Sequence, residues 1–169
     1  MVKVLQHYNL VKDYDVNEEA AMDALRYILF NIYTETLRED EGGTYGADVD
    51  CDVEFAPDAR HSLDVGFQTN VESADKLRDL AKSGLQGIAD NGPTADQFDK
   101  AVKNLQKRIP ENRQHNNYWV NVIVDSDRYG LNYDKDYEDA VNALTPEKVQ
   151  AVAQQILKGN LIEIVMRPE

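Results

Sequence analysis

A chain of 169 residues, 42% of them hydrophobic, is long enough to bury a core of its own and falls within the size range of one domain. No apolar run approaches the ~20 residues of a membrane span, so a soluble chain is expected. With 31 acidic against 18 basic residues and a formal net charge of −13, the chain would repel a phosphate backbone, which excludes nucleic acid as an expected partner.

The first segment, VKVLQHYNLV at residues 2–11, is rich in Val, Leu and Tyr without helical spacing and reads as a strand. Met1 leads straight into it with no basic region, apolar stretch or small-residue cleavage site, so no secretion signal is read there. Lys12 to Asp15 turn the chain. Asn17 is the expected N-cap of a long helix to about Glu39, with Met22, Leu25, Leu29 and Ile32 on one stripe and Phe30, Tyr33 and Leu37 on the next. So wide an apolar arc must lie against a sheet or another layer.

In TYGADVDCDVEF, Ala47, Val49, Cys51, Val53 and Phe55 alternate with Asp48, Asp50, Asp52 and Glu54, the strongest strand signal in the chain. Cys51 is the only cysteine, so no internal disulfide forms, and it reads as a buried, inert thiol. After a turn at Pro57 to Arg60, HSLDVGFQT repeats the alternation with Leu63, Val65 and Phe67 inward and Ser62, Asp64, Gly66 and Gln68 outward. Two such strands predict an antiparallel hairpin with one apolar and one polar face.

A second helix is expected from about Ser73 to Asn91, with Leu77, Leu80, Ala81, Leu85 and Ile88 buried and Gly92-Pro93 ending it. Thr94 and Gln97 predict a capping box for a third helix, through Phe98, Val102, Leu105 and Ile109, which Pro110 interrupts or kinks. A further helix around Tyr118 to Val124 leads to a polar loop reaching about Glu138. Thr145-Pro146 then open the last helix, Gly159 closes it, and LIEIVM forms the final strand. The order β-α-β-β-α-α-α-α-β predicts an α+β domain: an antiparallel sheet of about four strands covered by helices on one face.

His7, His61 and His115 stand apart without the spacing of a zinc site, HxxEH is absent, and each reads as a partly exposed residue; no metal is assigned. DSDRYGLNYDKD, from Asp125 to Asp136, matches a calcium loop in part, but Tyr129 stands at a ligand position and Asp replaces the bidentate Glu, so it reads as a solvated acidic loop. The row Asp48, Asp50, Asp52, Glu54 places four carboxylates on one sheet face at intervals of about 6.7 Å. It is either a water-facing strand or an acidic wall that attracts cationic substrate.

LREDEGGTYG, residues 37–46, carries more than a glycine turn needs. An Arg at a helix end and a Tyr at a strand start can present a guanidinium and a phenol side by side, donors suited to a developing oxyanion. If the strand runs unbroken, Tyr45 shares parity with Val49 and Cys51 and faces the core; a bulge at Gly46 would re-aim it.

This stretch resembles the LRE…GG.YG signature of the pitrilysin/insulinase zinc metallopeptidases, and specifically their C-terminal, non-catalytic type of domain, closest to bacterial zinc proteases. GPTADQFDKAVKNL, NNYW, LTPEKVQAVAQQIL and LIEIVMRPE extend the similarity over nearly the whole chain. The resemblance implies a metallopeptidase-half fold, LuxS or processing-peptidase-like, excised from a longer peptidase. It implies that zinc sits on another, HxxEH-bearing domain or subunit, and that Arg38 and Tyr45 bind peptide and steady the tetrahedral intermediate. The uncovered face with Asp48, Asp50, Asp52 and Glu54 would look into the chamber between the two halves. This chain alone would be inactive and metal-free. Two other readings are a catalytically dead scaffold or assembly partner of the same fold and a free-standing ligand-binding module. A periplasmic or cell-envelope setting is favoured by the bacterial resemblance alone.

Overall fold

The alternation that marks the strands is realised in one four-stranded antiparallel sheet of order β2-β3-β1-β4, with β1 at Val2–Val11, β2 at Thr44–Glu54, β3 at Arg60–Thr69 and β4 at Asn160–Met166. The computed structural model describes residues 1–40 and 44–168, and only the backbone of Arg38, Glu39, Asp40 and Tyr45. The helices are α1 (Val16–Tyr33), α2 (Ala74–Asn91), α3 (Ala95–Asn112), α4 (Asn116–Tyr129), α5 (Tyr133–Asn142) and α6 (Pro146–Leu157), with a π-helical segment at Thr34–Asp40. The architecture is the expected α+β one.

Period-two alternation divides the sheet into two faces. Val2, Val4 and Tyr8 of β1, Ala47 and Val49 of β2, and Leu63, Val65 and Phe67 of β3 are buried beneath the helices. α1 packs on β2 while α6 and α2 cover β1. Its stripe of Ala20, Ala21, Ala24, Leu25, Ile28 and Leu29 is buried, and the run of alanines lets α1 also receive α3, α5 and α6. Burial of this cluster is the main stabilising term, at about 25 cal/mol per Å² of apolar surface.

Several local expectations change. Asp15, not Asn17, caps α1: its carboxylate accepts the Asn17 amide at 2.8 Å, which places Asn17 inside the first turn. The α-helix also does not run unbroken to Glu39. It widens at Thr34 into the π segment, where Thr34 and Thr36 donate their hydroxyls to Phe30 O and Ile32 O, both at 2.8 Å, competing for carbonyls of the regular ladder. Phe30 and Phe55, expected in the core, are exposed. Pro110 sits in the last turn of α3, which continues to Asn112.

The predicted polar loop before Glu138 contains α5, so five helices, not four, lie between β3 and β4 among the described residues. The Thr94 capping box forms as expected, with Gln97 N to Thr94 Oγ1 at 3.2 Å and Thr94 N to Gln97 Oε1 at 2.9 Å. His61 is not partly exposed: it is 2% exposed, because it shares the parity of Leu63 and Val65. Ser62 points to the open face as expected but is buried there.

Candidate functional site

The face of the sheet away from the helices carries the candidate site. Register runs its outward residues into rows: Asp48, Gly66, Leu5 and Ile164 in one, and Asp50, Asp64, His7 and Ile162 in the next. The face therefore grades from carboxylates on the edge strand β2 to aliphatic side chains on the other edge strand, β4. Asp48, Asp50, Asp52 and Glu54 are all exposed, so the row expected on one face is on one face. Asp50 stands directly opposite Asp64, an unfavourable like-charge pairing, and His7 Nδ1 lies 2.7 Å from Asp64 Oδ1.

At the start of β2 the ladder shifts register: Thr44 pairs with Thr69, and the next pair is Ala47 with Phe67. Three steps along β2 match two along β3, so one extra residue is inserted at Tyr45–Gly46, a β-bulge. Strand parity counted back from Val49 therefore does not carry across to Tyr45. Thr44 closes the bulge, its Oγ1 donating to Gly46 O at 2.9 Å and accepting from Gly46 N at 3.3 Å. The backbone of Arg38 lies in the π segment, a conformation frequent at functional sites, and Leu37 beside it is fully buried. The side chains of Arg38 and Tyr45, and Glu41 to Gly43 between them, lie outside the described residues. A groove of about 550 Å³ opens next to the bulge, lined by Thr44, Gly46 and Asp48 and, across the sheet, by Leu5, Ile164 and Met166.

No group of three or more His, Cys, Asp or Glu poised for a metal occurs among the described residues. His7 lies on β1, His61 on β3 and His115 at the N-cap position of α4. The Cys51 thiol is pushed well above its ordinary value by burial and by the neighbouring Asp23 carboxylate, whose Oδ1 accepts from its Sγ at 3.6 Å. A protonated thiol there is unreactive.

Sequence reasoning missed a polar network on the helical side. Tyr14 and Tyr133 donate to the two oxygens of Glu19 at 2.6 and 2.7 Å, and Tyr137 donates to Asp23 at 2.5 Å. Arg113 makes a bidentate pair with Asp134 at 2.8 and 3.0 Å and reaches Glu138. Tyr118 donates to Asp134 at 2.6 Å and Trp119 Nε1 to Arg113 O at 2.8 Å, which explains the NNYW stretch as an anchor. Most partners lie far apart in sequence, so no spacing announced them.

The model of the peptidase M16 inactive domain matches residues 2–105, well over half of the chain. The chain belongs to that family. The M16 inactive domain here matches no curated protein sequence. Its fold is that of several solved M16-type proteases. It is 20% identical to the periplasmic protease PqqL of Escherichia coli, with a TM-score of 0.82, covering 99% of this chain and 19% of that one. A protease from Helicobacter pylori is 17% identical over 99% of this chain and 41% of that one, TM-score 0.82. The inactive peptidase domain from Bordetella parapertussis is 14% identical over 100% of this chain and 91% of that one, TM-score 0.81. The chain thus spans about a fifth of PqqL and nearly all of the isolated Bordetella domain. The M16 inactive domain confirms the resemblance read from LREDEGGTYG, including its non-catalytic type.

Proposed function

We propose that residues 1–169 form the non-catalytic domain of a longer zinc metalloendopeptidase, in which Arg38 and Tyr45 hold the scissile peptide and donate to its oxyanion. The zinc is held by a partner domain or subunit bearing HxxEH, and the peptide lies between the two. The observation that carries the reading is the pair of backbone irregularities before and after Gly42-Gly43 in the sequence, a π segment at Arg38 and a bulge at Tyr45–Gly46. Regular packing asks for neither, and bulges and π segments are the kind of backbone irregularity that recurs at functional sites.

Within this reading Arg38 binds the ground-state carbonyl through its fork of N–H donors. The Tyr45 hydroxyl strengthens its bond as negative charge develops on the carbonyl oxygen. Asp48, Asp50, Asp52 and Glu54 line the chamber wall and concentrate basic peptides, an effect that salt weakens. The isolated chain neither binds zinc stoichiometrically nor cleaves peptides.

Kinetics of the parent enzyme test this. Tyr45→Phe is expected to lower kcat by roughly 10²- to 10³-fold with the fold intact, and Arg38→Ala to raise KM as well. A Phe variant within twofold of wild type would show that the pair is a structural turn. That outcome would leave the fold as an assembly scaffold.

A further inference from the structure

A second cavity, of about 440 Å³, lies at the far end of β2, where Val53 to Ala56 meet Tyr14, the last turn of α3 and the length of α4. Its volume falls in the range of small-ligand sites. Seven residues of β2, Gly46 to Asp52, separate its nearest lining residue, Val53, from Tyr45, about 26 Å of strand.

The walls are aromatic. Tyr14 and Phe55 have ring centroids 5.4 Å apart, and Phe55 and Tyr129 4.1 Å apart; Tyr118 and Tyr133 also line the space. Three of these phenols do not need a ligand as partner, because Tyr14 and Tyr133 donate to Glu19 and Tyr118 to Asp134. Hydroxyls held in this way keep the rings fixed. Phe55 is 40% exposed, an apolar ring kept in contact with water at the mouth.

The charge around the cavity has one sign. Glu19, Glu54 and Asp125 line it, and no Lys, Arg or His does so among the described residues. Glu19 sits at its back with both oxygens occupied by phenols. Aromatic faces present the negative side of their quadrupole, and carboxylates add a full negative charge, so both attract a cation and neither favours an anion. Dry packing would have used aliphatic side chains, and a water pocket does not need three linked rings.

We propose that this aromatic, acid-lined cavity binds an organic cation, the guanidinium or alkylammonium head of a basic peptide side chain. The inference goes beyond the proposed role of Arg38 and Tyr45 and does not depend on it. Glu54 belongs both to the cavity and to the acidic row of the open face, so the row leads a cation along β2 towards the rings.

Calorimetric titration of the 169-residue chain with arginine amide, lysine amide and the neutral isostere citrulline amide tests the site without any catalysis. Saturable binding of at least one cation is expected, with citrulline amide at least roughly tenfold weaker. Phe55→Ala and Tyr129→Ala should each weaken the cation by about three- to tenfold with unchanged circular dichroism, whereas Tyr45→Phe should not. The relative affinities of the two amides identify the preferred head group. Equal binding of citrulline amide, no saturable binding of either cation, or an unchanged affinity in folded Phe55→Ala would overturn the proposal.

Discussion

His61 shows how one residue ties burial to pH. Its Nε2 lies 3.2 Å from Asp13 O, and since a carbonyl only accepts, that nitrogen carries the proton in the neutral ring. Nδ1 is 3.6 Å from Glu18 Oε2. Burial lowers its pKa from the ordinary 6.5, and the opposing pull of Glu18 is smaller. The unfolded chain therefore binds this proton more readily than the folded one. Stability from the neutral ring is complete above the unfolded value and is lost as pH falls through the lower folded one. The urea midpoint of wild type should fall more steeply between pH 7 and pH 5 than that of His61→Gln, which keeps a donor for Asp13 O. Parallel curves would show that His61 does not titrate in the transition. The buried state of His61 was legible in the alternation HSLDV, which assigns it the parity of Leu63; a histidine's polarity argued against following that count.

At the scale of elements, strands and capped helices were readable and the tertiary helix was not. Thr94, Gly92-Pro93 and Thr145-Pro146 announce helix ends through their own backbone chemistry, and each end forms where it announces itself. α5 has no such independence. Its sequence YDKDYEDAVN buries only Ala140 and Val141, and it is held by Tyr133 to Glu19, Tyr137 to Asp23 and Arg113 to Asp134 and Glu138. Propensity reads it as loop because its stability comes from long-range contacts. Arg113→Ala should then lower hydrogen-exchange protection selectively in α5 and the first turn of α4, leaving α2 amides unchanged. Uniform loss across all helices would mean that α5 unfolds only with the whole domain. The site divides in the same way: Gly46 in a strand pattern signals a bulge, while Thr34 and Thr36, whose hydroxyls bond back to helix carbonyls, do not by themselves mark where a helix widens into a π segment.

Over the whole molecule, four of the 31 acidic residues stand exposed in one row along β2, where packing does not need them. Asp50 opposite Asp64 is a like-charge pair retained at a cost. Asp50→Asn should raise stability by about 0.2–1 kcal/mol, measured by urea unfolding, with the gain shrinking in 1 M salt as screening removes the repulsion. A gain that persists in salt would point to strand propensity instead of charge.

The strand order also governs when the chain can fold. Among the strands of this sheet β1 is made before the others and β4 after them, yet they are neighbours, with Lys3 opposite Met166 and Asn9 opposite Asn160. On the ribosome β1 must wait for more than 150 further residues to emerge before its β4 edge is paired. Contacts of such long sequence separation slow folding. During that wait the β1 edge offers unpaired N–H and C=O groups to any other extended segment. A nascent chain ending at Lys158 should therefore remain protease-sensitive and prone to association, and synthesis of the eight residues from Gly159 to Met166 is the step that commits the polypeptide to its native state.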